Sequence, residues 1–520
     1  MNTLYYGDNL DVLRQHIATE SVDLIYLDPP FNSNRSYNVL FKAHSGQESQ
    51  AQIEAFDDSW HWSQQTEKQY VALLAGGAPI KVSDAIEAMH HLLGPNDVLA
   101  YLVMMTVRLV ELHRVLKPTG SLYLHCDPTA SHYLKVVCDA VLGSENFKNE
   151  VIWKWTNAHG RAKRWGPIHD VFLFYTKSDS YTWNRVLEPY DDSYVESKYR
   201  YNDQRGQYRL VTLDGPGVRN GPSGQPWRDV DPTESGRHWE VPPDRALPPW
   251  FDLPLGYAQM SVQTRLDVLD DAGLIYWPPR GVKPQYKRYL DEASGNPVQD
   301  VITDIQAINS QAAERLGYPT QKPLALLERI IGASSNEDDV ILDPFCGCGT
   351  AVDAAQKRHR RWIGIDVTYL AIDLIRKRLR HSYGEDIEST YEVHGIPTDV
   401  SGAEALFNEN PFDFERWAVS LVDGQPNEKQ VGDKGIDGRI RFHADKDKIG
   451  TVVVSVKGGK QIAPTMMRDL IGTVQDRKAD MGLLILLAKP TRGMTELADH
   501  SGVYEVPMTS AQYPRVQIIT

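Results

Sequence analysis

The sequence contains few cysteines and no long apolar segment. Its four cysteines in 520 residues are too few for a disulfide framework. Cys346 and Cys348 form a C-x-C pair with no further Cys or His nearby, a pattern that does not indicate zinc. The first residues, MNTLYYGDNL, lack the basic and apolar pattern of a secretory signal. These absences predict a cytoplasmic protein with reduced thiols and no membrane partner.

The sequence also lacks a G-x-x-x-x-G-K-[S/T] phosphate loop, so nothing supports a nucleotide-driven motor. The net charge of −14 weakly disfavours nucleic acid as a partner. Two stretches depart from this balance, because residues 153–165 (WKWTNAHGRAKRW) and 197–209 (SKYRYNDQRGQYR) combine Lys and Arg with Trp or Tyr. Such stretches are also typical of solvated loops, so the overall charge does not identify the partner.

The first 180 residues show strand and helix patterns in alternation. Continuous apolar runs indicate buried strands, and apolar residues spaced at about 3.6 indicate helices. The predicted elements are strands at 21–27, 120–126 and 169–177 and helices at 99–116 and 132–143. Strands that alternate with helices predict a parallel sheet with helices on both faces.

Composition divides the chain into four segments: 1–180, 181–310, 311–395 and 401–520. The second is rich in Pro, Gly, Trp and Tyr and has little periodicity, which predicts an irregular insertion or a separate recognition module. The third returns to alternating strands and helices. The last begins with an amphipathic helix at 411–422 and continues with three predicted strands.

The stretch DPFCGCGT (343–350) ends a predicted strand with an acid and continues into glycines. Gly347 and Gly349 permit a tight turn and a close approach of the backbone to a ligand. The next predicted strand ends at Asp366, where an acid usually binds ribose hydroxyls. Asp343 would repel a phosphate but attract an ammonium group. A ligand that has both ribose hydroxyls and an ammonium group is S-adenosylmethionine.

The stretch LDPPFN (27–32) ends another predicted strand. The amino group of a nucleobase is a poor nucleophile because its lone pair is delocalised into the ring. The Asp28 carboxylate and the Pro29 carbonyl can each accept a hydrogen bond from this group, which favours a pyramidal nitrogen that attacks a sulfonium methyl. Pro29 and Pro30 restrict the backbone, and Phe31 supplies a ring to stack on a base lifted from the duplex.

With these motifs, residues 1–395 resemble the amino-group DNA methyltransferases of the N6-adenine/N4-cytosine class, in the permuted motif order called β. GDNLDVL (7–13), LDPPFN, YPTQKP (318–323) and DPFCGCGT match the family pattern in that order. The resemblance implies a Rossmann-like α/β fold, S-adenosylmethionine as cofactor and double-stranded DNA as substrate. Residues 1–180 would form the catalytic half, 181–310 the target-recognition region and 311–395 the cofactor-binding half.

The resemblance also implies roles for single residues. Asp28, Pro29, Pro30 and Phe31 would form the catalytic motif. Asp8 would contact the cofactor adenine, while Thr320 and Lys322 would lie near its methionine end. The complete set of expected cofactor contacts is Asp8, Thr320, Lys322, Asp343, Phe345, Gly347, Gly349, Thr350 and Asp366.

The resemblance leaves the target base and the oligomeric state open. Asp at position 28 resembles the adenine-N6 branch, whereas N4-cytosine enzymes more often carry Ser. Residues near the flipped base and its phosphates are expected to be Lys154, Arg161, Lys163 and Arg164. A homodimer is one candidate assembly.

Residues 401–520 resemble a restriction-endonuclease-like domain of the Mrr type. Asp437 and Lys457 fall on adjacent predicted strands and Glu415 on the preceding helix, as in nucleases that bind Mg²⁺. The family usually has Glu or Gln where this chain has Ser455, which weakens a Mg²⁺ site at Asp437. A cleaving nuclease, a DNA-clamping domain without cleavage and an ordinary charged sheet stay open. So does a restriction nuclease that uses the methylase part for recognition.

Overall fold

The computed structural model describes the chain except for a set of short segments. These segments are residues 31–35, 43–47, 58–60, 128–129, 158–162, 164, 245–246, 249, 280–282, 292–294, 310, 319, 398, 428–434, 446–447 and 508–509. Side chains are also not described for 36–42, 48–57 and 448. Residues Met1–Asn184 and Gln299–Thr520 form one compact unit, and Arg185–Val298 form another.

The first part of the chain contains seven strands and five helices among its described residues. The strands are β1 (Asn2–Tyr6), β2 (Val22–Leu27), β3 (Ser36–Lys42), β4 (Glu48–Asp57), β5 (Leu116–Cys126), β6 (Phe147–Lys154) and β7 (His169–Thr176). The helices are α1 (Asn9–His16), α2 (Gln64–Ala72), α3 (Ile80–Leu93), α4 (Asp97–Val115) and α5 (Ser131–Leu142). The five predicted elements of this region therefore form close to their expected bounds. The sequence analysis did not predict the others, which are β1, β3, β4, β6, α1, α2 and α3.

The unit Arg185–Val298 consists of short strands and two helices. Its elements are β8 (Leu187–Glu188), α6 (Asp192–Lys198), β9 (Tyr201–Asp203), β10 (Gly206–Thr212), β11 (Asp214–Pro216), β12 (Arg237–Trp239), α7 (Val262–Asp271), β13 (Ile275–Tyr276), β14 (Gln285–Tyr289) and β15 (Asn296–Pro297). Four strands form a small sheet in the order β13-β14-β10-β9. Its core is rich in aromatic rings, including Trp227, Trp239 and Tyr286.

After this unit the chain returns to longer elements: β16 (Val301–Ile302), α8 (Leu324–Ser334), β17 (Val340–Asp343), α9 (Thr350–Lys357), β18 (Arg361–Asp366), α10 (Tyr369–Tyr383) and β19 (Tyr391–His394). They complete a nine-stranded sheet in the order β16-β6-β7-β5-β2-β17-β18-β1-β19. The prediction of a parallel sheet is wrong at β7, which runs antiparallel to both β5 and β6. Adjacent antiparallel strands, unlike parallel ones, need no crossover connection.

Helices cover both faces of the large sheet, as predicted. Leu24 and Tyr26 of β2 pack in one core with α8, α9 and α10, whereas Ile25 and Leu27 pack in the other with α4 and α5. Because successive side chains of a strand point to opposite faces, both faces of β2 are buried. No helix among the described residues is long and apolar enough to cross a membrane.

The C-terminal part folds around a second, smaller sheet. Its elements are α11 (Val400–Glu409), α12 (Pro411–Ser420), β20 (Gln425–Pro426), β21 (Gly438–Asp445), β22 (Lys448–Lys457), α13 (Pro464–Asp476), β23 (Met481–Leu486), α14 (Arg492–Asp499), β24 (Val503–Glu505), β25 (Gln512–Pro514) and β26 (Val516–Ile519). The five-stranded sheet has the order β20-β21-β22-β23-β26. Helices α13 and α14 pack on one face, and α11 and α12 on the other.

Candidate active site

Four acidic residues lie where adjacent parallel strands of the large sheet end. Asp28 follows β2, Asp343 ends β17, Asp366 ends β18 and Asp8 follows β1 by two positions. These strands are neighbours in the order β2-β17-β18-β1 and all run parallel. Their carboxyl ends therefore meet at one edge of the sheet, which is the usual place for a ligand in this architecture.

A cavity of about 270 Å³ lies at this edge. Most of the residues predicted for the site line it: Asp8, Asp28, Pro29, Pro30, Thr320, Lys322, Asp343, Phe345, Gly347, Thr350 and Asp366. Phe31 lies outside the described residues. Gly349 is not part of the lining; its φ is +74°, and an added Cβ would lie 2.6 Å from Ile375 Cγ1. Glycine at this position lets the turn pack against α10.

Of the two carboxyls at the β17 and β18 ends, Asp343 is buried and Asp366 is half-buried. Asp343 is 4% exposed, and burial raises its pKa well above the usual range. Burial also raises the pKa of Asp366, to about 6, although Thr368 and the Gly347 N–H donate hydrogen bonds to it. A ligand that brings hydrogen-bond donors or positive charge would stabilise the ionised form of both carboxyls.

Asp8 is held by a network that joins three distant segments. Its Oδ1 caps α1 at the Leu10 N–H, and both carboxylate oxygens accept hydrogen bonds of 3.0 Å from Arg108. Arg108 also donates to Asn9 Oδ1, and Asn9 donates to the Pro344 carbonyl at 2.7 Å. The network orients Asp8 and ties the start of α1 to the turn after β17.

Asp28 contacts a lysine and a histidine. Lys322 Nζ lies 2.6 Å from Asp28 Oδ2, and His125 Nδ1 lies 3.4 Å from Asp28 Oδ1. Lys322 is thus next to the proposed catalytic acid, not only near the expected cofactor position. The ammonium fixes the orientation of the carboxylate, since it engages one of its two oxygens.

His125 and its partners are site residues that the sequence analysis missed. His125 Nε2 lies 3.1 Å from Asp170 Oδ2, Tyr26 OH lies 3.3 Å from His125 Nδ1, and Trp155 donates to Asp170 Oδ1 at 3.2 Å. One signal was available, because His125 is a polar residue near the carboxyl end of a predicted apolar strand. The antiparallel pairing of β5 with β7 brings Asp170 to the ring.

Of the residues predicted to contact DNA, the two that the structure describes, Lys154 and Lys163, are not part of the cavity lining. Lys154 ends β6 and is half-buried, and Lys163 is exposed. Arg161 and Arg164 lie outside the described residues. In the same stretch Trp153 is buried and donates to the Ile305 carbonyl at 2.7 Å, so its first part belongs to the sheet and not to a solvated loop.

In the C-terminal sheet, the predicted metal-binding acid is occupied by protein donors. Asp437 Oδ2 accepts hydrogen bonds from Ser455 Oγ at 3.1 Å, from the Val456 N–H at 2.5 Å and from Lys457 Nζ at 3.4 Å. Glu415 lies half-buried on α12. Within the described part of the chain, no group of three or more His, Cys, Asp or Glu could hold a metal ion. The predicted Mg²⁺ site thus receives no support.

A family model described as DNA methylase, of the N6/N4 type, matches residues 22–377. The chain belongs to this family. A second model, described as NACHT-associated inactive restriction endonuclease 1, matches residues 413–513 of the methylase. This match fits the predicted endonuclease-like domain, while the Mrr type stays a prediction.

Individual relatives of this methylase agree with the family match. The type II methyltransferase M.EcaI of Enterobacter cloacae is 28% identical over 379 residues, which are 72% of this chain and 69% of that protein. The DNA adenine methyltransferase YhdJ of Escherichia coli (strain K12) is 24% identical over 396 residues, or 76% of this chain and 86% of that protein. The solved M1.HpyAVI–SAM complex covers 73% of this chain and 99% of its own at 14% identity, with a TM-score of 0.32.

S-adenosylmethionine is the cofactor of this DNA methylase, and the cavity fits it in chemistry. The ligand carries ribose hydroxyls, a sulfonium and an ammonium group, and the cavity offers four carboxyl groups at the ends of four strands. At Gly347, where φ is +48°, an added Cβ would lie 3.1 Å from Tyr318 Cε1, so a larger residue would strain the backbone and crowd Tyr318.

Proposed function

We propose that this methylase transfers a methyl group to the N6 amino group of adenine at specific sites in double-stranded DNA, after flipping the base out of the duplex. The observation that carries the proposal is the presence of Asp28 and Pro29 in the same cavity as Asp343 and Asp366. Acceptors for an amino group and a binding site for the methyl donor are thus contiguous.

In this proposal the cofactor is held by the ends of three strands. Asp366 accepts the ribose hydroxyls, Asp8 contacts the adenine, and Asp343 attracts the ammonium group. The other predicted contacts are Thr320, Lys322, Phe345, Gly347, Gly349 and Thr350. When bound, S-adenosylmethionine supplies an electrophilic methyl group, which bonds to the amino nitrogen as its bond to sulfur breaks.

The protein prepares the amino group for this transfer. Asp28 and the Pro29 carbonyl each accept one of its hydrogens, so that the lone pair leaves the ring plane and faces the methyl group. Pro29 is buried and Pro30 half-buried, and neither has an N–H to compete for these acceptors. Stacking of the flipped base on Phe31 stays a prediction.

Adenine is favoured over cytosine by the acid at position 28, where N4-cytosine enzymes more often carry Ser. One relative matched over 76% of this chain is a DNA adenine methyltransferase. Methylation of cytosine N4 is the alternative. Other relatives are type II methyltransferases, which supports a role in restriction–modification.

We assign target recognition to the aromatic-rich unit Arg185–Val298, and phosphate contacts to Lys154, Arg161, Lys163 and Arg164. The C-terminal domain is proposed not to cleave DNA, because Ser455 replaces the expected acid or amide and hydrogen-bonds Asp437. Supercoiled plasmid incubated with the protein, the cofactor and Mg²⁺ should therefore remain uncut. Mg²⁺-dependent nicking would favour the restriction nuclease alternative.

The target base can be identified directly. Unmethylated plasmid DNA is incubated with the protein and methyl-labelled S-adenosylmethionine, digested to nucleosides and analysed by mass spectrometry. We expect label in N6-methyl-2′-deoxyadenosine, whereas label in N4-methyl-2′-deoxycytidine would support the alternative. Asp28→Ala should reduce transfer by about 10²-fold or more because an acceptor aimed at the amino group is lost. Asp84→Ala, on the exposed face of α3, is the matched control and should keep full activity.

A further inference from the structure

Methylation of an amino group leaves one proton to be removed. If the proposed function holds, the amino nitrogen becomes cationic when it gains the methyl group, and one of its N–H bonds must break. The N–H electron pair returns to nitrogen, and the nearest proposed acceptor for the proton is Asp28. Asp28 must be a carboxylate again before it can accept a hydrogen bond from the next amino group. The proton therefore needs a route away from Asp28.

A buried histidine lies between Asp28 and a second carboxylate. His125 Nδ1 is 3.4 Å from Asp28 Oδ1, and His125 Nε2 is 3.1 Å from Asp170 Oδ2. Nε2 forms the shorter of these two contacts, a hydrogen bond to the Asp170 carboxylate, so Nε2 carries the ring proton. Nδ1 of the neutral ring is then an acceptor, and Tyr26 OH, at 3.3 Å, can donate to it. The ring thus presents an unprotonated nitrogen toward Asp28.

We infer that His125 takes the proton from Asp28 and passes it to solvent through Asp170. The proton moves from Asp28 Oδ1 to His125 Nδ1, which gives an imidazolium held between two carboxylates. The proton on Nε2 then moves to Asp170, whose side chain is 19% exposed and can release it to water. The neutral ring is left with its proton on Nδ1, and tautomer exchange returns this proton to Nε2 before the next turnover. The inference rests on the proposed function, since it begins with the proton of a methylated amino group.

The groups that face His125 come from three segments. Tyr26 belongs to β2 and Asp28 directly follows this strand. Asp170 belongs to β7, and Lys322 precedes α8. Burial lowers the pKa of His125 and Lys322 lowers it further, while Asp28 and Asp170 oppose this effect. The ring is therefore neutral near pH 7, as an acceptor must be. Although burial opposes it, the hydrogen bonds of His125 and Trp155 lower the pKa of Asp170.

The protonation state can be measured without cofactor or DNA. The full chain is labelled with ¹³Cε1-histidine, and the signal absent from His125→Asn identifies the His125 resonance. We expect this ring to be neutral at pH 7 and to titrate below the ordinary histidine value of about 6.5. Asp170→Asn should lower its pKa further, because the carboxylate that stabilises the imidazolium is lost. A His125 pKa above 6.5, or a His125 pKa that does not change in Asp170→Asn, would overturn the inference.

The second test is multiple-turnover methyl transfer to unmethylated plasmid DNA across pH, at saturating cofactor and with target sites in excess over protein. We expect His125→Asn to slow transfer by about 10²-fold to 10⁴-fold with unchanged cofactor affinity. Asp170→Asn should slow it less and move the acidic limb of the pH profile to lower pH. Ser121→Ala, buried on the same strand but outside the cavity lining, is the control and should match the wild type.

The two hypotheses fail in different ways. The proposed function is tested by identifying the base that the wild-type protein methylates. The proton route is tested by the ratio of variant to wild-type rates. Wild-type rates and pH profiles in both variants would overturn the route, and so would a loss confined to cofactor binding. If His125→Asn does not fold, the pH profile of Asp170→Asn is sufficient to test the proton route.

Discussion

At the level of single residues, the Asp366 carboxyl is shielded from solvent and accepts hydrogen bonds from neighbouring residues. Both of its oxygens already accept hydrogen bonds, from the Gly347 N–H at 2.9 Å and from Thr368 at 2.8 Å. Burial nevertheless raises its pKa to about 6, two units above that of an ordinary aspartic acid. The carboxyl thus titrates just below neutral pH, in a place where the proposed ligand brings two hydroxyl donors.

This titration predicts pH-dependent cofactor binding. The ionised carboxylate accepts the ribose hydroxyls, so a proton must leave Asp366 when binding occurs below its pKa of about 6. Affinity for S-adenosylmethionine should therefore be constant above that value and fall below it, by about tenfold between pH 7 and pH 5. Calorimetric titration at both pH values checks this. Asp366→Asn should bind more weakly and with less pH dependence; an equal pH dependence in this variant would contradict the assignment.

At the level of secondary-structure elements, a buried ion pair holds the turn after β17 to α10. Arg378 Nε lies 2.8 Å from Asp353 Oδ2 on α9, and both side chains are less than a tenth exposed. Arg378 Nη1 also donates to the Cys348 carbonyl and to Thr350 Oγ1, at 3.2 Å each. One guanidinium thus fixes the turn after β17 and the start of α9.

Removing only one partner of this pair should be costly. Arg378→Leu leaves the Asp353 charge buried without its counterion, and we expect it to lower the free energy of unfolding by about 3–5 kcal/mol. The double variant with Asp353→Leu should recover more than half of this loss, since no buried charge is left unpaired. Thermal unfolding with and without S-adenosylmethionine measures the cycle. A double variant less stable than Arg378→Leu would contradict the expectation.

At the level of the whole molecule, the endonuclease-like domain contacts two segments that flank the cavity at the sheet edge. Tyr6 ends β1, two residues before Asp8, and its hydroxyl donates to Asp413 Oδ2 at 3.1 Å. Tyr369 begins α10, three residues after Asp366, and its hydroxyl lies 2.8 Å from Ser420 Oγ. Helix α12 therefore packs against the same sheet edge that carries the residues proposed to bind the cofactor.

This contact predicts that cofactor binding stabilises part of the C-terminal domain. Hydrogen exchange of α12 amides should slow when S-adenosylmethionine is added, because ordering of the β1 and α10 ends stabilises the surface on which α12 packs. Tyr6→Phe should reduce this protection, since it removes the hydrogen bond to Asp413. Helix α13, on the other face of the small sheet, serves as the internal control. Unchanged exchange in α12 on cofactor addition would show that the two parts are uncoupled.

Local sequence patterns were sufficient for most elements of the large sheet and for the acids at their ends. Apolar runs mark buried strands, and the Asp-Pro-Pro and Gly-x-Gly stretches mark where they stop, because these signals act on the residues next to them. Asp28, Asp343 and Asp366 could be selected on this basis. The target base and the role of each residue stay predictions that the experiments above address.

Tertiary structure alone decided which of these ends are neighbours and which other groups reach them. The antiparallel direction of β7 and the position of His125 between Asp28 and Asp170 depend on hydrogen bonds between strands far apart in sequence. In the sequence His125 is one polar residue at the end of an apolar strand, and Lys322 belongs to a loop. Pairing of strands β5, β2 and β17 in space, which no local pattern encodes, places both beside the same carboxylate.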